Sequence, residues 1–386
     1  MNNDKTAIPM IPITMPFFDE REERAVAEAL RGGWVVQGPN VKEFEDRLAE
    51  MHRLKHAIAV SNCTSGLHLI LAALGIGPGD EVVVPAYTFI ATANAVEYTG
   101  ATPVFCDIDE ATCNVDAASM ESKITGRTKA LMPVHLFGLC ADMDPIMETA
   151  RQKKLVVVED AACALAAQYK GRFAGSFGAA GAVSFHPRKI ITTGEGGMIL
   201  TGDDTLAELL RSLRDHGASA CDLDRHEGKS SALLPEYRRV GYNYRMTDIQ
   251  GALGVEQMKK SPDIIRKRRA FAARYDALLE RIHWLIPVRA PEGSIHSYQA
   301  YVCRVTGEAP CDRNEIIERL KKQAIACRQG THAVHIQEYY RKKHGLREQD
   351  FPQALNADRD ILALPLYHRM SEADQDRVVA ALGELH

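Results

Sequence analysis

Lys189 follows a short apolar run and precedes a glycine cluster in SFHPRKIITTGEGG, Ser184 to Gly197. Lysine is strongly hydrated and is rarely buried without a partner. This amine is therefore either a surface group on a turn or one held beside something that needs it. Other short stretches carry further reactive or ligand-holding groups. Asp160 ends VVVED, Thr64 and Ser65 lie in SNCTSG (61–66), and Phe89 lies in PAYTFIATAN. Each has a plain structural reading. Asn62, Thr64 and Ser65 could cap a helix, or the same helix start could seat a phosphate on free N–H groups. Asp160 could be a cap, Phe89 a core residue, and GEGG by itself says little, with no GK[ST] behind it. Taken together they describe one ligand. An amine for an aldehyde, a carboxylate for a pyridine nitrogen, a phosphate seat and an aromatic face are the needs of pyridoxal 5'-phosphate.

These residues are far apart in the chain, so a fold has to bring them together. Apolar runs rich in Val and Ile recur at 57–62, 81–86, 102–108, 129–134, 154–160, 181–185 and 196–202. Runs of this length, bounded by Gly, Pro, Asn or Asp, predict strands covered on both faces. Helix-like segments at 64–74 and 142–154 lie between them, which predicts an α/β domain with a mainly parallel sheet. Ligands of such sheets bind at the carboxyl ends of the strands, and the candidate residues follow directly after the predicted strands. From about Gly251 the pattern changes, and a charged helix is predicted over 261–282. We read residues 1–250 as a large cofactor-binding domain including the N-terminal segment, and 251–386 as a smaller C-terminal α/β domain.

Composition narrows the alternatives. The 386 residues are 46% apolar and 25% charged, with a net charge of −4, as in ordinary soluble proteins. Basic residues are dispersed, which argues against a nucleic-acid or polybasic membrane surface. Nine cysteines form no CxxC pair and no metal-like spacing with histidine, so reduced thiols, a cytoplasmic location and no metal are expected. No apolar stretch approaches a membrane span, and the N-terminus does not read as a signal peptide.

Six segments together resemble the DegT/DnrJ/EryC1/StrS aminotransferases, which act mainly on nucleotide-linked keto-sugars. They are GGWVVQGPNVKEFEDRLAEMH, SNCTSGLHLILAAL, PAYTFIATANAVEYTGATPVFCDID, VEDAACAL, SFHPRKIITTGEGGMI and GYNYRMTDIQGALG, in family order over nearly the whole chain. The resemblance implies the fold-type I (aspartate aminotransferase-like) architecture and a homodimer with shared active sites. It implies that Lys189 binds the cofactor's aldehyde, Asp160 pairs with the pyridine nitrogen and Phe89 lies against the ring. Thr64, Ser65 and Ser184 match phosphate-binding positions. Asn243 matches a residue that reaches the phosphate of the neighbouring subunit. His186 reads as structural. One position departs from the family: Cys163 stands where Gln or His usually lies near the cofactor's phenolic oxygen, and a thiol is the weaker donor. The implied reaction takes an amino group from a donor, L-glutamate, leaves pyridoxamine phosphate, and passes the nitrogen to the ketone of a nucleotide-linked sugar. The product is an amino sugar for polysaccharides or glycans. The stretch CRQGTHAVHIQEYY (327–340) is expected near the sugar, with His335 as a candidate contact or a structural histidine. A keto-sugar dehydratase of the same fold and a non-catalytic regulatory relative are the alternatives. The first replaces the lysine by histidine and the second tolerates loss of Lys189 or Asp160, but both residues are present.

Overall fold

The computed structural model describes residues 9–219 and 234–385. Seven strands form the main sheet: β1 His56–Val60, β2 Glu81–Pro85, β3 Thr102–Cys106, β4 Thr128–Leu131, β5 Val156–Asp160, β6 Ala180–Ser184 and β7 Gly197–Thr201. Their spatial order is β1-β7-β6-β5-β4-β2-β3. All seven apolar runs become strands of this sheet. Strands β6, β5, β4, β2 and β3 are parallel, whereas β7 is antiparallel to both β6 and β1. The reason is local. No crossover helix separates β6 from β7, only the loop carrying Lys189, and a short return can join only antiparallel neighbours.

Helices lie on both faces. Among them are α1 Glu20–Gly32, α2 Pro39–His52, α3 Cys63–Ala73, α4 Ala91–Tyr98, α5 Met143–Lys153 and α6 Asp204–Arg214. One apolar cluster packs Leu67, Leu69 and Ile70 of α3 against Ile58, Val82 and Ile199. A second packs Phe44 and Leu48 of α2 with Val83, Val157 and Met198. Burying both faces is what makes the strands read as continuous apolar runs.

The long helix α7 spans Asp248–Leu279 and starts well before the predicted Ser261. A Ser-Pro pair such as Ser261-Pro262 is common where a helix begins. In the structure Pro262 is internal. It cannot donate to the carbonyl of Met258, but the Ser261 hydroxyl takes that role at 2.9 Å, so the helix continues. Val255 and Ile265 of α7 belong to the second cluster, while Ala272, Tyr275 and Leu279 belong to a third. The third cluster lies under a four-stranded sheet of β8 Leu285–Pro287, β9 Tyr301–Val305, β10 Arg328–Gln329 and β11 Ile361–Leu364, ordered β8-β9-β11-β10. It also holds α8 Arg313–Lys322, α9 Glu372–Gly383 and Ile11. The Ile11 backbone bonds to Ala324 and Ala326 at 2.9 Å each. Two cores therefore meet inside one continuous helix. Among the described residues no helix is long and apolar enough to cross a membrane.

Candidate active site

Strands β1, β5 and β6 run in one direction, so their carboxyl ends lie along one edge of the sheet. A cavity of about 700 Å³ opens there, lined by Thr64, Ser65, Phe89, Asp160, Cys163, Ser184 and Lys189. The segments that supply them were named from sequence, and the sheet brings all seven together.

The start of α3 forms one wall. Asn62 is its N-cap, and its Oδ1 accepts from the Ser65 N–H at 2.8 Å. Helix geometry leaves the N–H groups of Cys63 and Thr64 without an intrahelical acceptor. The capping and anion-seat readings of SNCTSG are thus compatible, since the cap uses one donor and leaves others at the positive end of the helix. Gly197 explains part of GEGG. It pairs with Val60 in the sheet, and a Cβ there would lie 2.5 Å from both Asn62 C and Cys63 N. Only glycine lets β7 run this close beneath the helix start.

The end of β5 carries two acids with different tasks, because successive strand residues face opposite ways. Glu159 is fully buried and accepts from Gly175 N, Phe177 N and Gly178 N at 2.7, 2.6 and 2.7 Å. It also meets His135 Nε2 at 2.9 Å; His135 Nδ1 accepts from Ala141 N, which puts the ring proton on Nε2. This acid is consumed by structure. Asp160 faces the cavity, 4% exposed, and accepts from Thr92 Oγ1 at 2.7 Å and from Ala162 N at 3.1 Å. Because Thr92 donates its proton to Asp160, Thr88 has to donate to Thr92, across 2.8 Å. Both threonines are buried; Thr92 is in the first turn of α4, and Thr88 ends the short strand Tyr87–Thr88 just before that helix. Their role was not seen in the sequence, although PAYTFIATAN contains them at i and i+4.

Lys189 lies in the β6–β7 loop, where its N–H bonds to His186 O at 2.8 Å. Its Nζ is 3.0 Å from Cys163 Sγ. Burial opposes the ammonium, but Cys163, with Cys63 and Asp160 behind it, outweighs burial and raises the amine above its ordinary value. Ser184 is nearly buried at the end of β6. Phe89 is 61% exposed and stands at the cavity mouth with Tyr98, itself 59% exposed.

Two further candidate residues lie outside this cavity, Asn243 having been expected at the neighbouring subunit's site. Asn243 is exposed and outside the cavity, in the segment whose Tyr244 lines it. His335 does not reach the cavity. Its ring is fully buried, packs edge-on against Phe351 at 5.0 Å and meets Glu348 O at 3.1 Å. The backbone of its stretch turns inward after Ala333, which pairs with Tyr87. Arg328, Gly330 and Thr331 from the same stretch do line the cavity. Arg328 is half-buried, which lowers its pKa, and it forms no ion pair among the described residues. Among those residues no cluster suited to a metal ion is found.

The DegT/DnrJ/EryC1/StrS aminotransferase family model matches residues 16–383. The chain belongs to this family. It is 42% identical over 381 residues to the GDP-perosamine synthase of Caulobacter vibrioides, covering 98% of this chain and 99% of that protein. It is 36% identical over 381 residues to the UDP-4-amino-4-deoxy-L-arabinose–oxoglutarate aminotransferase of Shewanella sediminis, covering 97% and 98%. Spr1654 of Streptococcus pneumoniae, solved in its PMP form, superposes with a TM-score of 0.90 at 29% identity, covering 97% of this chain and 96% of that one. The protein is a fold-type I sugar aminotransferase that uses pyridoxal phosphate. Its own residues fit that cofactor: a helix start free to take an anion, a buried carboxylate with lone pairs to spare, and an amine whose one hydrogen-bond partner among the described residues is a thiol.

Proposed function

We propose that this aminotransferase moves an amino group from L-glutamate to the ketone of a nucleotide-linked sugar, giving an amino sugar for a polysaccharide or glycan. The observation that carries the residue roles is the convergence of Lys189, Asp160 and the α3 start on one cavity. When bound, pyridoxal phosphate supplies an aldehyde for the amine and a protonated ring that draws electrons from the carbon exchanging nitrogen. Thr64, Ser65, Ser184 and the first N–H groups of α3 hold the phosphate. Asp160, oriented by donors from Thr92 and Ala162, would pair with the ring nitrogen and hold its proton. Phe89 covers the ring. Lys189 would hold the cofactor by its aldehyde, and its Nζ, when free, would accept and return the proton that the exchange of nitrogen requires. Arg328, a guanidinium without an acidic partner among the described residues, faces the carboxylate or diphosphate of the incoming substrates.

We further propose a homodimer in the cytoplasm, with Asn243 completing the phosphate site of the neighbouring subunit. The names of the two relatives, one carrying a GDP-linked sugar and the other a 4-amino sugar and oxoglutarate, support the substrate class and the donor. The test is a panel of nucleotide-linked 3-keto and 4-keto sugars incubated with glutamate and read by mass spectrometry. Formation of an amino sugar with matching 2-oxoglutarate is expected. Turnover of glutamate with simple 2-oxo acids but with no keto-sugar of the panel would overturn the substrate assignment.

A further inference from the structure

Cys163 is the cavity residue that departs from the family pattern, and it touches the residue on which the site depends. Its Sγ is 3.0 Å from Lys189 Nζ. Cys63 and Cys163 both line the cavity, but Cys63 is buried and Cys163 is partly exposed; Cys311 and Cys327, also partly exposed, lie outside it. A thiol that a small oxidant can reach, with an amine already in contact, is placed for bond formation rather than for packing alone. We propose that Cys163 and Lys189 form a reversible sulfur–nitrogen cross-link under hydroperoxide, closing the site in the chain that holds no cofactor. The consequence for activity rests on Lys189 being the residue that takes the cofactor's aldehyde; the bond itself does not.

The chemistry balances. A hydroperoxide such as hydrogen peroxide oxidises the Cys163 thiol to a sulfenic acid and leaves as water. The Lys189 amine attacks that sulfur. The S–N bond forms, the S–O bond breaks, nitrogen gives up a proton, and a second water departs. The net change is the loss of two hydrogens from the protein and reduction of one peroxide to two waters. A small thiol reverses it by attacking the sulfur, which returns the amine and leaves a mixed disulfide. A second thiol then frees Cys163 and departs in a disulfide.

The electrostatics favour the sequence of events. Burial alone would favour the uncharged amine, and Cys163 is the foremost influence holding the ammonium. Oxidation of the sulfur replaces the thiol contact that favours the ammonium. The amine then becomes the nucleophile the second step needs, and rotation about the lysine's flexible stem closes the gap. Bound cofactor occupies the same amine and should prevent the link.

The experiment treats the full-length protein, with pyridoxal phosphate bound and after its removal, with hydrogen peroxide. Peptide mapping of the cofactor-free sample should find Cys163 joined to Lys189, two hydrogens lighter than the separate peptides, with trypsin no longer cutting after Lys189. Cofactor reloading, followed by absorbance, should fall at least about tenfold and return with dithiothreitol. The loaded sample should resist. Cys163→Ser, compared with itself before and after peroxide, should keep its capacity to reload. Sulfinic or sulfonic acid at Cys163, or a Cys163–Cys63 disulfide, with Lys189 unmodified would overturn the proposal. So would equal loss of reloading in Cys163→Ser. If the cross-link forms but reloading is unaffected, the cofactor role of Lys189 is what fails.

Discussion

Replacing Thr92 by valine keeps the outline of the side chain and removes its hydroxyl. Thr92 is fully buried, so water cannot take the vacated place without a cavity. Asp160 then loses its 2.7 Å donor and keeps only Ala162 N at 3.1 Å, while the Thr88 hydroxyl loses its acceptor. A hydrogen bond to a charged group contributes about 1.5–3 kcal/mol. If that stabilisation serves the carboxylate that holds the ring proton, turnover falls by roughly ten- to a hundredfold, since 1.36 kcal/mol is about a factor of ten. Cofactor binding should change less, because the phosphate seat is untouched. Thr92→Ser restores the donor and should stay within about threefold of the parent. The assay is steady-state turnover with a keto-sugar, set beside a cofactor titration and a melting curve for each variant. A Thr92→Val protein with parental turnover would refute the argument. So would valine and serine variants that are equally impaired.

Gly197→Ala should push the start of α3 off β7, because its Cβ would lie 2.5 Å from Asn62 C and Cys63 N; cofactor titration should show affinity reduced by about tenfold or more, with about 1–3 kcal/mol of stability lost to overpacking. Borohydride should fix the pyridoxyl group on Lys189 and on no other lysine, and Lys189→Ala should lose turnover while still binding pyridoxamine phosphate. Mixed dimers of Asn243→Ala and Lys189→Ala chains should regain activity, since one site then has its own Lys189 and the partner's intact Asn243; no recovery despite verified subunit exchange would refute shared sites. Burial holds His52 and His296 down at about 4 and about 3. In the unfolded chain they protonate near pH 6.5, so stability is full above that value and is lost as pH falls toward 4 and then 3. At pH 5 the loss is about 2 kcal/mol for each, which melting curves between pH 7 and pH 5 would reveal and a His296→Gln variant should reduce.

The strands were legible because both faces of the sheet are covered, which writes each one as an unbroken apolar run. The helix read over 64–74 was legible to within a residue of Cys63–Ala73, because SNCTSG is rich in cap residues; which of them caps, Asn62, is a fact of the structure. What sequence could not supply were facts set by packing across the chain. VVVED does not say which acid faces the cavity; that follows from Gly175, Phe177 and Gly178 returning to meet Glu159. Thr92 looks like any helix-start threonine until Asp160 arrives beside it. His335 had the right type and neighbourhood, yet the turn after Ala333 points its ring inward. The start of the long helix was placed too late, at 261 rather than Asp248; Pro262 is carried inside it because Ser261 compensates for the lost backbone donor.

Ile11 packs in the same core as Val378, Leu382 and Leu385. On the ribosome it emerges long before them, together with the segment that leads into the first helix. The large sheet, complete by Thr201, can form while the four-stranded sheet is still unsynthesised. Ile11 has to wait, unpartnered, until Ala324 and Ala326 and then the last helix appear. Closing so long a loop is the slow kind of contact to make. Nascent chains should thus pass through a stage with the sheet folded and the apolar segment around Ile11 still loose, a stretch that chaperones can hold and proteases can cut.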